Sequence, residues 1–141
     1  MKQWICSLFG LISSAIATAL GGWDQGLATL LIFMGVDYAS GIIVAAVFHR
    51  SNKTTTGTLQ SKTCFKGLVK KCMVLVYVLV AYRLDVVIGT SYIRDAVIIA
   101  FIVNELISLT ENAGLMGVPL PPVITKAIDI LQDKSKESEV D

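Results

Sequence analysis

Four ionisable residues interrupt apolar stretches of this chain, where their side chains could form ion pairs or contact water within a membrane. They are Asp37, Arg83, Asp85 and Glu105. Asp37 is the only charge between Leu27 and Phe48, so we expect it near the midplane of a bilayer. A charge at that depth is unfavourable unless it is paired or neutral, which makes Asp37 a functional candidate. A carboxyl group that only fixes helix packing is the competing interpretation.

Other polar residues recur at helical spacing beside these charges. Ser40 and Gly41 share a helix face with Asp37, and Arg83 at the opposite end of the next apolar run is a candidate partner for Asp37. Arg83 and Asp85 are two residues apart and do not face each other on a helix. A further face combines three polar residues that we expect to form hydrogen bonds between helices: Asn104, Ser108 and Glu111.

Small and polar residues also follow one face of the first apolar run. They are Ser7, Gly10, Ser14 and Thr18. Small residues let transmembrane helices approach closely, so this face is either a packing seam or a surface that meets water when helices rearrange. Together with Asp37, Ser40 and Gly41 it forms the candidate packing or lumen face.

The residue types give no indication of an enzyme. Nucleotide-binding, zinc and nucleophile motifs are absent from the sequence, and we predict no catalytic, cofactor-binding or metal-binding residue. Cys6, Cys64 and Cys72 form no disulfide framework, and His49 has no ligand partners nearby in sequence. The formal net charge of +1 gives no reason to expect nucleic-acid binding.

The elements that position these residues are helices of membrane length. The chain is 54% hydrophobic and 16% charged, far from the composition of an average soluble domain. We predict an all-α integral membrane protein whose domain 1–112 has spans at about 4–22, 27–48, 68–89 and 93–109. A three-span arrangement is the alternative. The first run also resembles a signal peptide, but we expect it to be the first membrane helix.

A basic segment at 49–67 and the adjoining start of the third span set the orientation. Its cations are Arg50, Lys53, Lys62, Lys66, Lys70 and Lys71. Lys and Arg are retained on the cytoplasmic side, so both termini of a four-span chain are cytoplasmic. Lys70 and Lys71 are expected to extend toward the inner headgroups.

The region after the last span changes character. Residues 113–132 predict a Gly/Pro turn followed by a short amphipathic helix from about 123 to 132, which could lie on the membrane surface. Residues 133–141 are charged and predict a disordered tail.

Several segments together resemble the toxin-secretion/phage-lysis holins. They are DYASG at 37–41, SKTCFKGLVKK at 61–71, NELISLTENAG at 104–114 and MGVPLPP at 116–122. The resemblance covers about residues 33–131. It implies a non-enzymatic protein of the host bacterial cell membrane that forms large homo-oligomers in lipid. These open lesions at a set time, and a cytoplasmic endolysin then reaches the peptidoglycan without needing to contact the holin.

Three other functions remain open on the sequence. One is holin-like release of a large toxin, which the sequence does not distinguish from phage lysis. The others are a small ion channel, which would conduct ions without passing a protein, and a membrane adaptor, whose basic loop and tail would bind a cytoplasmic partner.

Overall fold

The chain folds into five helices joined by short turns and one longer loop. The computed structural model describes residues 1–140, with the side chains of residues 1–137, and contains no strand in that range. The helices are α1 (Lys2–Ala19), α2 (Gln25–Ala46), α3 (Ser61–Ile88), α4 (Ile93–Leu115) and α5 (Pro122–Val140). The expected all-helical architecture is therefore present.

Local sequence signals define several helix ends. Asp24 caps α2 by accepting a hydrogen bond from the Leu27 N–H at 2.8 Å. Gly89 ends α3 in the left-handed conformation, at φ +82°, which a glycine adopts without steric cost. Pro122 begins α5, because a proline at the first helical position gives up no intrahelical hydrogen bond.

Three helices are longer than the sequence predicts. Helix α3 begins at Ser61, so the loop before it ends at Gln60 and Lys62 and Lys66 are helical rather than part of a loop. Helix α4 continues to Leu115. Helix α5 continues through most of the segment predicted to be disordered, since Lys and Glu favour helices and no Gly or Pro follows Pro122. Asp141, the end of that predicted tail, lies outside the described residues.

Helices α2, α3 and α4 form a bundle, with α2 and α4 parallel to each other and α3 antiparallel to both. The core consists of buried apolar residues from the three helices and from the turn after α1: Leu20, Leu27, Leu30, Met34, Val78, Ile98 and Ile102. Helix α5 folds back along α4. Helix α1 has no buried residue and meets the bundle only where the chain leaves it, at Leu20.

One helix in the described part of the chain, α2, is long and apolar enough to cross a membrane by length and composition. Helix α3 carries Lys70, Lys71, Arg83 and Asp85 along its length, and α1 begins with the polar pair Lys2 and Gln3. The four-span arrangement therefore stays a prediction. Several of the charged residues within its predicted spans meet in the candidate site.

Candidate functional site: a lysine held between two carboxylates

Lys71 lies on the one face of α3 that packs against the bundle. Its neighbours on that face are Val74, Val78, Ala81 and Asp85, at the spacing of successive helical turns. Lys70 precedes Lys71 by one residue and therefore points about 100° away from this face. It is exposed, as are Lys62 and Lys66. Helix geometry thus separates two adjacent lysines, and only Lys71 turns inward.

The Lys71 ammonium pairs with carboxylates from two other helices. Its Nζ lies 2.9 Å from Asp37 Oδ2 on α2 and 2.5 Å from Glu105 Oε2 on α4. All three side chains are largely hidden, with 16%, 4% and 10% exposure. Removal of any one of the three charges would leave an uncompensated buried charge, so the cluster depends on α2, α3 and α4 keeping this arrangement.

This pairing corrects the expected roles of two residues. Asp37 pairs with Lys71 and not with Arg83, which is exposed and forms no ion pair in the described part of the chain. Lys71 does not extend toward the headgroups. The sequence gives Lys70 and Lys71 the same expected role, whereas the rotation of α3 decides which of the two lysines enters the bundle.

Asn112 completes the polar cluster and was not among the candidates from the sequence. Its side-chain amide donates to Asp37 Oδ1 at 3.1 Å and to Ser40 Oγ at 2.9 Å. Glu105 and Asn112 lie seven residues apart on α4, which places them on one face with Ile98 and Ile102. In the sequence, Asn112 could have been identified because it continues the helical spacing of Ile98, Ile102 and Glu105.

The predicted face of Asn104, Ser108 and Glu111 is divided between the bundle and the surface. Asn104 and Glu111 are exposed and Ser108 is partly buried. Glu105 enters the bundle and Ser108 lies beside Asp37, because α4 packs through the stripe that begins with Arg94 and Ile98.

A cavity of about 220 Å³ connects the basic loop to the buried cluster. Lys53, Thr54 and Gln60 line its loop side, whereas Asp37 and Lys71 line its inner side. Above it the loop folds on itself through backbone hydrogen bonds such as Ser51 N–H to the Gly57 carbonyl at 3.1 Å. The cavity places water within reach of the cluster from this end of the bundle.

A second polar cluster lies at the opposite end of the bundle, around the buried Arg94. Its guanidinium contacts Asp24 Oδ2 at 2.5 Å and donates to the carbonyls of Leu20 at 2.5 Å and Gly22 at 2.9 Å. Arg94 therefore attaches the α1–α2 turn to the start of α4. This contact and the burial of Leu20 are what position the end of α1.

Asp85 secures the turn between α3 and α4. Its carboxylate accepts hydrogen bonds from the Thr90 hydroxyl at 2.6 Å and from the N–H groups of Ile93 and Arg94 at 3.1 and 2.8 Å. A carboxylate at a helix N-terminus satisfies free N–H groups and complements the helix dipole. Asp85 thus acts on α4 and does not interact with Arg83.

Asp24, the partner of Arg94, lies in the turn between α1 and α2. Burial opposes its charged form, but the Leu27 N–H and the Arg94 guanidinium outweigh burial and lower the pKa of Asp24 below 3.8. The ion pair at this turn is therefore present at neutral pH.

The remaining candidates are spread over the surface. Ser7, Gly10, Ser14 and Thr18 are exposed on α1, and the Thr18 hydroxyl bonds within its own helix, to the Ser14 carbonyl at 2.8 Å. Arg50 lies in the loop. The structure separates the α1 face from Asp37 and Ser40, which are buried between α2 and α4. Among residues 1–137 no three His, Cys, Asp or Glu side chains are grouped as metal ligands, and the cysteines are unpaired.

Comparison with known proteins assigns the chain to a family. Residues 14–133 match the bacteriophage holin family. An uncharacterised protein of Halalkalibacterium halodurans is 34% identical over 89% of this chain and 93% of its own length. The 14.9 kDa protein in the nagH 3′ region of Clostridium perfringens is 35% identical over 81% of this chain and 82% of its own.

A phage protein is also among the relatives. The probable holin of Bacillus phage phi105 is 28% identical over 86% of each chain. No solved structure gives a significant match. The matched segment includes the buried lysine cluster, the Arg94 cluster and most of α5. The chain belongs to the bacteriophage holin family, whose members are proteins of the cytoplasmic membrane.

Proposed function

We propose that this protein is a holin that assembles in the bacterial cytoplasmic membrane and opens lesions at a set time. Endolysin then crosses the membrane through these lesions and degrades the peptidoglycan. The proposal includes four spans with both termini in the cytoplasm, a large homo-oligomer and no enzymatic step. Neither endolysin contact nor nucleic-acid binding is part of the mechanism.

The apolar surface that the fold leaves uncovered carries this proposal. Helix α1 exposes nearly all of its apolar side chains, including Trp4 at 81%, and the outer face of α3 exposes Val87 at 78%. Exposed apolar surface of this extent marks a lipid-facing or protein-binding surface. In a holin, α1 is available both to lipid and to another copy of the chain, since its small-residue face has no partner within one protomer.

The polar cluster supports a mechanism with a closed resting state. Asp37 and Glu105 are buried, so each protomer hides these two carboxylates from lipid. Assembly beyond a critical density would repack α1 and α2 against neighbouring copies. Repacking would separate Lys71 from its two carboxylates. Water that enters through the loop cavity would hydrate these charges and so stabilise the repacked state.

Controlled expression with and without a cytoplasmic endolysin that has no signal sequence tests this function. We expect abrupt lysis only when both proteins are present, in a strain where chloroform treatment proves the endolysin active. Depolarisation without lysis would indicate a small ion channel instead. Absence of any effect from demonstrably inserted protein would favour the membrane adaptor.

Release of a large protein other than endolysin is the second candidate. It is favoured by relatives in bacterial species, among them the Clostridium perfringens protein in the nagH 3′ region. The lesion would be similar but growth would continue. Release of a co-expressed cytoplasmic reporter enzyme without a fall in culture turbidity would support this candidate over lysis.

A further inference from the structure

The cavity beneath the basic loop carries more positive than negative charge. Its charged lining residues are Lys53, Lys70, Lys71, Asp37 and Glu105. The two carboxylates are already paired with Lys71. Lys53 and Lys70, by contrast, form no ion pair in the part of the chain that the structure describes. The excess positive charge therefore comes from these two lysines, and it favours an anionic occupant.

The side chain of Lys53 reaches from the loop to α2. A Cβ built on Gly41 would lie 3.8 Å from Lys53 Nζ and 3.7 Å from Asn112 Nδ2. The ammonium thus lies beside Gly41, one helical turn beyond Asp37, although Lys53 as a whole residue is exposed. Gly41 has no side chain to fill the adjoining space, which leaves room for a ligand close to the helix.

The remaining lining combines polar and apolar side chains. Hydroxyl and amide groups that can donate hydrogen bonds to phosphate oxygens come from Ser51, Gln60 and Thr63. Leu59 also lines the cavity and is 47% exposed, so it continues the lining onto the outer apolar surface. Phe65, exposed on the first turns of α3, belongs to that surface. An occupant with both a phosphate and hydrocarbon fits this lining better than a free anion does.

The size and depth of the cavity suit a lipid headgroup. Its volume of about 220 Å³ is smaller than the roughly 300–1,000 Å³ of a pocket for a drug-sized ligand. If α2 crosses a hydrocarbon core of about 30 Å, its last residue, Ala46, lies at the boundary with the headgroups. Gly41 is then about 7.5 Å deeper, at about 1.5 Å per residue. An unpaired ammonium at that depth is unfavourable, so Lys53 requires an anion there.

We propose that this cavity binds the phosphate headgroup of an anionic phospholipid from the leaflet on the loop side of the membrane. Lys53 and Lys70 would contact the phosphate, and Leu59 the first carbons of the acyl chains. Basic pockets between transmembrane helices are suited to such headgroups. Binding requires membrane insertion but no lesion, so the site goes beyond the proposed function. One consequence rests on that function: an occupied cavity would keep water from the Lys71 cluster in the closed protomer.

Protection of Cys64 from N-ethylmaleimide tests the site, because Cys64 lines the cavity. The parent is the full chain with Cys6 and Cys72 replaced by alanine, in micelles of a neutral maltoside detergent. The probes are dioleoyl phosphatidylglycerol, dioleoyl phosphatidylcholine and inorganic phosphate at equal concentrations. A control protein carries Cys64→Ala and Phe65→Cys, which moves the thiol to an exposed neighbour outside the cavity.

We expect phosphatidylglycerol to slow modification of Cys64, by about tenfold when the site is nine-tenths occupied. Phosphatidylcholine and inorganic phosphate should leave the rate unchanged, and the thiol at position 65 should react rapidly with every probe.

Two pairs of lysine variants test the contacts. Lys53→Gln combined with Lys70→Gln should raise the phosphatidylglycerol concentration for half-protection at least about tenfold, since two charge-assisted contacts are lost. Lys62→Gln combined with Lys66→Gln removes the same charge from exposed positions outside the cavity and should change it by less than about twofold. Circular dichroism should show unchanged helix content, because all four lysines are exposed.

Several results would overturn the inference. Absence of protection by phosphatidylglycerol would remove the site, and equal protection by phosphatidylcholine would show that the anionic charge is not recognised. Protection by inorganic phosphate alone would assign the cavity to a soluble anion. Equal effects of the two lysine pairs would indicate general attraction to a basic surface. No lesion forms in micelles, so these outcomes are independent of the lysis experiment, and either proposal can fail without the other.

Discussion

The Lys71 ammonium lies 2.9 Å from Asp37, a residue 34 positions earlier on another helix. The same ammonium also contacts Glu105, so a single cation links three helices. In the sequence Lys71 belongs to the basic segment that we predict to set the orientation of the chain, but structurally it is a largely buried residue of the bundle. Its neutralisation should therefore affect folding rather than topology.

Replacing Lys71 by methionine should destabilise the bundle by about 3–5 kcal/mol, because two buried carboxylates then face each other without a cation. Lys70→Met is the matched control on the exposed side of the same helix turn and should change stability by less than about 0.5 kcal/mol. Unfolding by sodium dodecyl sulfate, followed by circular dichroism, measures both. Equal effects at the two positions would contradict the buried cluster.

The two carboxylates should be strongly coupled. Asp37→Asn and Glu105→Gln each leave Lys71 one anionic partner, so each should cost less than Lys71→Met. The double variant leaves the ammonium unpaired and should cost more than the sum of the single changes, by about 0.5–3 kcal/mol. A double-mutant cycle on the same unfolding curves gives this coupling, and simple additivity would show that the carboxylates act independently.

Two consecutive glycines after α1 should respond differently to alanine. Gly21 and Gly22 both have φ of +94°, so either substitution introduces backbone strain of about 1–2 kcal/mol. A Cβ at Gly21 would also lie 2.6 Å from Arg94 Nε, whereas a Cβ at Gly22 meets no atom within 4 Å. Gly21→Ala should therefore lose about 1–3 kcal/mol more stability than Gly22→Ala, by overpacking. A larger loss for Gly22→Ala would place Arg94 elsewhere.

Asp24 should make stability depend on acid pH. Its pKa is lower in the folded state than the ordinary 3.8, so its ion pair with Arg94 stabilises the fold above pH 3.8. That contribution is lost as the pH falls through the lowered folded-state value. Asn at position 24 still caps α2, so Asp24→Asn should be less stable at neutral pH and equal to the wild type in acid. Unfolding curves across this range would test the sign, and a gap that widens in acid would refute it.

Much of the architecture follows from local sequence. The lengths of the apolar runs, the absence of strand-like alternation and the Gly and Pro breaks predict a helical chain, and five helices are present in the described part. The segments at 37–41, 61–71, 104–114 and 116–122 identify the family, which the match over 14–133 confirms. Helix ends were less predictable, since charged residues such as those after Gln132 permit either helix or coil.

Tertiary structure decided which polar residues meet. Local sequence marked Asp37 and Glu105 as unusual in their apolar surroundings, but only packing selected Lys71 over Arg83 as their partner and Asn112 as a donor. Adjacent residues on a helix point about 100° apart, so each pairing depends on how α2, α3 and α4 are rotated against one another. That rotation arises from contacts among core residues far apart in sequence, and no single segment of the chain encodes it.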